Sequence, residues 1–354
     1  MLNRRNFISY SSLALASGAL AQNSSSKQPI KIAQIGTGHA HAGGKMEVYR
    51  ASKEFDVVGV FEPDEQRRKR VEGKGVYKDI PFMTLEQLLN VKGLQAVAVE
   101  TEVKDLLKYA DICINAGLHI HLDKPAGSHL PTYKKILDKA DQKKCFIQLG
   151  YMYRFNPAVM FMMDILKKGW LGTPFSVHTV MGKVLGSSTR KELSEYPGGI
   201  MFELGCHVID LTVSALGKPE KVTAFPQSAK SSHDDGYLDN MLAVFEYKNA
   251  NASIRSLGME VEGFARRHFV LCGTEGTCHI QPLDRPSIKL ALSKPRDKYR
   301  KGYQEINYGP YKRYVGDATD FAAMIRGEKG NDFPSSHEFA VQQAVLLASG
   351  LKSD

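Results

Sequence analysis

Glu203, His207 and Asp210 follow one another at spacings of four and three in the stretch 198–210. On a helix those three side chains share one face. A histidine flanked by carboxylates is equipped to shuttle a proton near neutral pH, because they orient the ring and stabilise its charged form. Cys206 beside His207 is not a paired nucleophile in this pattern, since adjacent helical positions point apart. A second reactive group is Lys124, in His119-Ile120-His121-Leu122-Asp123-Lys124-Pro125. A lysine and a proline directly after a short apolar run stand at the carboxyl end of a strand, the edge of an open parallel sheet where ligands bind.

A third stretch supplies a reason for those groups to be gathered. The apolar run Ile32-Ala33-Gln34-Ile35 ends in Gly36-Thr37-Gly38-His39-Ala40, and the sequence then turns helical near Ala40. A strand, a glycine turn and a helix N-terminus together present backbone N–H groups and a partial positive charge to a pyrophosphate. Gly36, Thr37, Gly38, His39 and Ala40 are therefore candidate cofactor-binding residues. The third glycine usual in such a turn is replaced by His41, so the helix must pack on the strand with a side chain between them. Glu62 follows 24 residues after Gly38, at the end of the next apolar run. A carboxylate there accepts hydrogen bonds from ribose hydroxyls and repels a 2′-phosphate, which favours NAD. Arg67 and Arg68 close by leave NADP as the alternative.

The elements that must hold these residues divide the chain in two. Short apolar runs at 31–35, 56–61, 95–99, 119–122 and 145–149 alternate with helical patterns such as 104–116 and 132–142. That alternation predicts an α/β, doubly wound parallel sheet of Rossmann type over residues 30–150. After Gly150 the pattern changes. A helix at 157–168 is followed by extended runs at 174–181, 221–225, 240–247, 252–259, 267–272, 277–281 and 287–292. These predict a second, α+β domain with a large, mostly antiparallel sheet over 151–316, and C-terminal helices over 317–354. Thr84-Leu85-Glu86-Gln87 and Ser335-Ser336-His337-Glu338 read as capping boxes. The stretch 294–303, rich in lysine, arginine and tyrosine, reads as an exposed loop.

With these motifs in order, the chain resembles the Gfo/Idh/MocA oxidoreductases over nearly its whole length after the N-terminal segment. The resemblance rests on Gly36-x-Gly38, on Asp123-Lys124-Pro125 where the family usually has Glu-Lys-Pro, on Gly150-Tyr151-Met152-Tyr153-Arg154-Phe155-Asn156-Pro157, and on 198–210. It implies that Lys124 and His207 face a nicotinamide across the cleft between the domains. His207 would take the hydroxyl proton as hydride leaves carbon, and Lys124 would stabilise negative charge on the same oxygen. Glu203, where many members carry aspartate, would orient the substrate or His207. Tyr153, Arg154 and Asp210 are expected at or just behind the substrate, with Tyr237 and Arg190 as looser candidates. Thr101 and Pro125 join Lys124 on the cofactor side. Members often show a Thr-Pro or Thr-Asn turn where this chain has Glu100-Thr101-Glu102-Val103, so those contacts must differ.

The first 21 residues carry an address. Arg4-Arg5, a serine-containing apolar run and Ala19-Leu20-Ala21 before Gln22 form a twin-arginine export signal, with 22–29 as a linker. The run is too short to span a bilayer, so no stable membrane anchor is expected. Periplasmic or extracellular residence follows. Soluble NAD is not expected there, so the cofactor should be loaded before export and kept. The expected partner is a small carbohydrate: a sugar, polyol or glycoside undergoing hydride transfer. Two alternatives stand beside it, a redox-neutral glycoside hydrolase or epimerase of the same fold and a non-catalytic nucleotide- or sugar-binding protein. A homodimer or homotetramer is expected.

Composition excludes other classes. The net charge of +9, spread over 47 basic and 38 acidic residues, has no patch that reads as a nucleic-acid surface. Five scattered cysteines without a C-x-x-C give no structural zinc site, although a bridge between Cys272 and Cys278 across a turn stays open. No metal site is expected. His39 and His41 read as helix-start residues near the cofactor, and His119 and His121 as strand residues packed on a helix.

Overall fold

The computed structural model describes residues 27–229 and 235–353. The twin-arginine segment lies outside the described residues. Strands β1 (Ile30–Ile35), β2 (Phe55–Phe61), β3 (Ala96–Val99), β4 (His119–Leu122) and β5 (Ile147–Leu149) form a parallel sheet in the order β2-β1-β3-β4-β5. All four residues of β3 are buried. A strand covered by helices on both faces has no cause to alternate apolar with polar residues. The chain leaves β1 toward β2 on one side and pairs it with β3 on the other. A crevice therefore opens at the carboxyl ends of β1 and β3, where Gly36 and Glu100 stand.

Eight strands build the second sheet: β6 (Pro174–Gly182), β7 (Lys221–Gln227), β8 (Asn240–Tyr247), β9 (Ala250–Leu257), β10 (His268–Gly273), β11 (Gly276–Ile280), β12 (Ser287–Leu292) and β13 (Gly302–Asn307). Their order is β13-β12-β11-β10-β6-β9-β8-β7, antiparallel except for the β6–β9 pair. β13 begins inside the stretch expected to be an exposed loop. It is an edge strand with Tyr303 69% exposed and few apolar residues, so burial leaves no signature in its sequence. Cys272 and Cys278 are both free, as are the other three cysteines. In the β10–β11 register Cys272 pairs with Thr277 and Leu271 with Cys278, which puts the two thiols on opposite faces of the sheet.

Two C-terminal helices return to the first domain. The helix Val315–Ile325 sets Phe321 and Ala322 into a cluster with Ile30, Ile32, Val48 and Tyr49. Along the helix Ser335–Ala348, Gln342 accepts from the Ala126 N–H at 3.1 Å and donates to the Gly127 carbonyl at 2.6 Å, which fixes the loop just after Lys124. The capping box at Thr84 forms, with both of its hydrogen bonds in place. The one expected at Ser335 does not: Ser335 bonds Asp141 instead, and Glu338 turns inward to Arg154.

Candidate active site

Gly36 closes β1 at φ +84°, and a Cβ there would stand 2.5 Å from Thr101 Cγ2 and 2.7 Å from the Thr101 backbone. Only glycine allows that conformation and that approach together. A Cβ on Gly38 would meet the Arg67 guanidinium at 2.9 Å. Thr37 donates from its N–H and its hydroxyl to Glu62 Oε2, each at 2.6 Å, and His39 N–H donates to the Glu100 carbonyl at 3.0 Å. Among the described residues, the N–H groups of Gly38 and Ala40 have no protein partner. The helix that follows starts at Ala42 with His41 as its cap, slightly later than the sequence indicates, which leaves Ala40 exposed in the turn. A turn that a side chain would block, with two open N–H donors, fits a dinucleotide pyrophosphate. Beside it, Glu62, Asp64, Arg67, Thr101 and Glu102 bound a cleft of about 310 Å³. Arg67 is engaged by Glu102 at 2.9 Å and stands 3.7 Å from Glu62, so its charge is already answered by carboxylates.

Below the turn lies a buried charged cluster. Lys45, on the helix Ala42–Ala51, is 1% exposed and donates to Asp123 at 2.9 Å and to Glu100 at 3.1 Å. Asp123 also receives His39 Nδ1 at 2.9 Å and His41 Nδ1 at 3.2 Å. His41 therefore occupies the missing third-glycine position by pointing along the helix N-terminus into this cluster.

Lys124, one residue beyond Asp123, crosses to the second domain. Its Nζ donates to the Glu203 main-chain carbonyl at 2.7 Å and stands 3.8 Å from the Glu203 carboxylate. Burial disfavours its charge, but Cys206, Glu203 and Asp123 outweigh that and hold its pKa above the ordinary lysine value. Pro125, next in the chain, is buried. Glu203 lies in one π-helical turn, Met201–Gly205, that passes into the α-helix Cys206–Leu216. The Glu203 carboxylate is also held by Lys183 at 3.3 Å. His207 packs against the rings of Tyr153 at 5.3 Å, Tyr151 at 6.0 Å and His41 at 6.3 Å. Its Nδ1 has no partner among the described residues. Burial, then Lys124, His41 and Arg267, push its pKa well below the ordinary value, so the imidazole is neutral and able to accept a proton.

Three expected substrate contacts need correction. Arg154 is not open to a substrate. Its guanidinium, 1% exposed, is spent on Asp210 and Glu338 through hydrogen bonds of 2.6–3.1 Å. Asp210 is consumed by the same pairing, with His337 a further 3.8 Å away. Asp210 keeps its helical spacing to His207 in Cys206–Leu216, while the π turn at Met201–Gly205 changes the phase of Glu203 against both. Tyr153 is buried and donates its hydroxyl to Asp284 at 2.8 Å, so it meets His207 with its ring. Of the looser candidates, Arg190 is paired with Asp235 and Asp239, while Tyr237 keeps a buried hydroxyl without a partner among the described residues. Sequence reasoning missed Lys45, Glu100 and Lys183, whose roles depend on contacts across 20 to 78 residues. His41 alone left a signal, as a histidine where a glycine is usual.

The fold thus sets a dinucleotide-sized cradle at the switch point of a parallel sheet, opposite a buried lysine and a buried histidine. The chain belongs to the GFO/IDH/MocA family: residues 30–151 match the oxidoreductase family's NAD-binding Rossmann fold, and residues 159–279 match the GFO/IDH/MocA C-terminal domain. Among curated relatives, bovine trans-1,2-dihydrobenzene-1,2-diol dehydrogenase is 25% identical over 55% of this chain and 57% of its own. The chain thus spans little more than half the length of such relatives. An oxidoreductase of Agrobacterium radiobacter, solved with NAD+, L-tartaric acid and magnesium, superposes with TM-score 0.76 at 16% identity, covering 91% of this chain and 96% of that one. UDP-N-acetylglucosamine 3-dehydrogenase of Acidithiobacillus ferrooxidans gives TM-score 0.75 at 16% identity, over 92% and 98%. At those identities the solved structures speak for the fold.

Proposed function

We propose that this protein transfers hydride between a nicotinamide cofactor and a CH–OH carbon of a sugar, polyol or glycoside, with the cofactor held through turnover. The reading is carried by the meeting of Lys124 from the first domain with Glu203 and His207 from the second. Gly36, Thr37, Gly38, Ala40 and Thr101 would hold the dinucleotide, and Glu62, whose carboxylate accepts from Thr37 and Asp64 in the free protein, would have to exchange the Thr37 hydroxyl for the ribose. Its nicotinamide would supply the hydride acceptor or donor. His207, neutral in the free protein, takes the hydroxyl proton and returns it in the reverse direction. The Lys124 ammonium spends one donor on the Glu203 carbonyl and keeps two for the substrate oxygen. Glu203, drawn between Lys124 and Lys183, fixes the approach of both. The pairing of Arg67 with Glu102 and Glu62 supports NAD over NADP.

A polyhydroxylated substrate is supported by the relatives found by sequence, which include the diol dehydrogenase and a scyllo-inositol 2-dehydrogenase of Bacillus subtilis, 24% identical over 40% of each chain. Export to the periplasm or beyond, and with it a non-exchanging cofactor, is supported by Arg4-Arg5 and Ala19-Leu20-Ala21. Among the described residues no helix is long and apolar enough to cross a membrane. A homodimer or homotetramer is supported by the eight-stranded sheet, which offers a broad surface for pairing. The test is to denature purified mature protein, identify the released nucleotide by mass spectrometry, and follow nicotinamide absorbance over a panel of sugars, polyols and glycosides. Protein that arrives empty and binds NAD only weakly would overturn the retained-cofactor reading. Product formed without net absorbance change would move the assignment to the redox-neutral hydrolase or epimerase.

A further inference from the structure

The two histidines of the glycine turn converge on a carboxylate more than 80 residues away, and a ring nitrogen from each lies with an Asp123 oxygen within a 4.8 Å span. We propose that His39, His41 and Asp123 form a binding site for one divalent transition-metal ion of the zinc class.

The placing of the two rings carries the proposal. His39 Nε2 faces the Lys124 main-chain carbonyl at 3.1 Å, which fixes the ring, while its Nδ1 faces Asp123 Oδ2 at 2.9 Å. Metal-ligating imidazoles have their far nitrogen held by a backbone carbonyl in this way. A second imidazole, that of His41, brings its Nδ1 to the other Asp123 oxygen, so two rings from one turn converge on one carboxylate. The separations of 2.9 and 3.2 Å from the Asp123 oxygens to the two Nδ1 atoms suit ligands about 2.0–2.1 Å from a shared ion. Two imidazoles and one carboxylate match zinc-class ions better than magnesium or calcium, which prefer all-oxygen sets.

Lys45 contacts Asp123 at 2.9 Å and Glu100 at 3.1 Å, so its ammonium is shared between two carboxyl groups. Lys124, the other nearby cation, is turned to Glu203. The ion would tie the glycine turn to the end of β4 directly beneath Lys124, beside His207. The site does not depend on the substrate assignment above.

The test uses the full chain after export-signal removal, dialysed against chelator and titrated with Zn²⁺ or Co²⁺ alone. Elemental analysis should give one zinc per chain, and the cobalt form should show visible ligand-field absorption. His41→Gln and His39→Gln should each weaken cobalt binding at least tenfold, while a control at His129, on the surface, should not. Circular dichroism and a cooperative thermal transition establish that each variant is folded. If a variant fails to fold, zinc-dependent protection of wild-type His39 and His41 from diethyl pyrocarbonate, read by peptide mass spectrometry, decides the matter. Wild-type protein that takes up no stoichiometric metal, or binding that neither substitution nor protection traces to these histidines, overturns the proposal. Loss of nucleotide or of hydride transfer with metal uptake intact would count against the proposed function and leave the metal site standing.

Discussion

Two buried ionic clusters sit on either side of His207, and they differ in how completely they are satisfied. Behind it, Arg154 meets both Asp210 and Glu338 through two-pronged pairs, and its guanidinium stacks 3.9 Å from the Phe333 ring. In front, Lys45, Asp123, Glu100 and the turn histidines share contacts unevenly. Glu100 Oε2 and His207 Nδ1 are left without partners among the described residues. A closed network fixes one packing and offers nothing to a ligand. An open one carries the desolvation cost of its free atoms, and that cost is recovered when something binds. The difference separates scaffold from site among residues that all look chemical in the sequence.

The comparison breaks most sharply at its two centres. His207→Gln, which keeps most of the side-chain volume among the Tyr151 and Tyr153 rings, should lower the rate of hydride transfer by about 10²–10⁴-fold, the usual worth of a positioned general base, while the melting curve moves little. Single-turnover nicotinamide absorbance checks the rate. A variant as fast as wild type would place the base elsewhere. Asp210→Ala should do the reverse. Leaving Arg154 with one carboxylate fewer inside the protein should cost about 3–5 kcal/mol of stability in denaturant unfolding, with the nucleotide spectrum of the folded fraction unchanged. If Asp210→Ala instead kept its stability and lost activity, the closed cluster would belong to the site.

Gly36→Ala sharpens the contrast on the cofactor side. The backbone at φ +84° resists a side chain, and the new methyl would stand 2.5 Å from Thr101 Cγ2, so the turn must move. Strain of about 1–3 kcal/mol falls on the segment that presents the Gly38 and Ala40 N–H groups. NAD affinity measured by calorimetry should fall about tenfold or more, while the second domain's contribution to unfolding is unaffected.

Much of this architecture can be read from sequence because burial leaves a periodic trace. The five parallel strands and seven of the eight in the second sheet follow from runs such as Ala96-Val97-Ala98-Val99. β13 escapes because an exposed edge strand has no buried face to advertise. Lys124, His207 and the glycine turn are visible because their chemistry is local to a motif. Arg154 and Asp210 are illegible in the sequence for the opposite reason. Whether a buried ion is free or paired depends on Glu338, 184 residues from Arg154, and no spacing rule reports that distance. The π turn at Met201–Gly205 shifts helix phase without any marker in its residues. His41 stands out in the sequence as an irregularity, but its partner Asp123 lies 82 residues on.

The smallest expected effect tests the open side from beneath. Asp317, on the helix Val315–Ile325, is 2% exposed, and neither of its carboxylate oxygens has a hydrogen-bond partner among the described residues. Burial raises its pKa to about 6, against the opposing pull of Lys45. In the unfolded chain the group ionises near the ordinary carboxylate value, about 3.9. Between about pH 4 and pH 6 the native state therefore holds the proton more tightly than the unfolded one, and stability drains away as pH rises through that window. A shift of this size is worth at most about 3 kcal/mol. Asp317→Asn removes the ionisable group but buries an amide that must find its own partners, at about 1–3 kcal/mol. The net gain should be about 1 kcal/mol at pH 7 and should disappear, or turn into a loss, at pH 4. Denaturant unfolding of both proteins across that range measures it. A loss at pH 7 that shrinks toward pH 4 would mean that Asp317 is stabilised as the anion, and that Lys45 is shared more evenly than its contacts with Asp123 and Glu100 indicate.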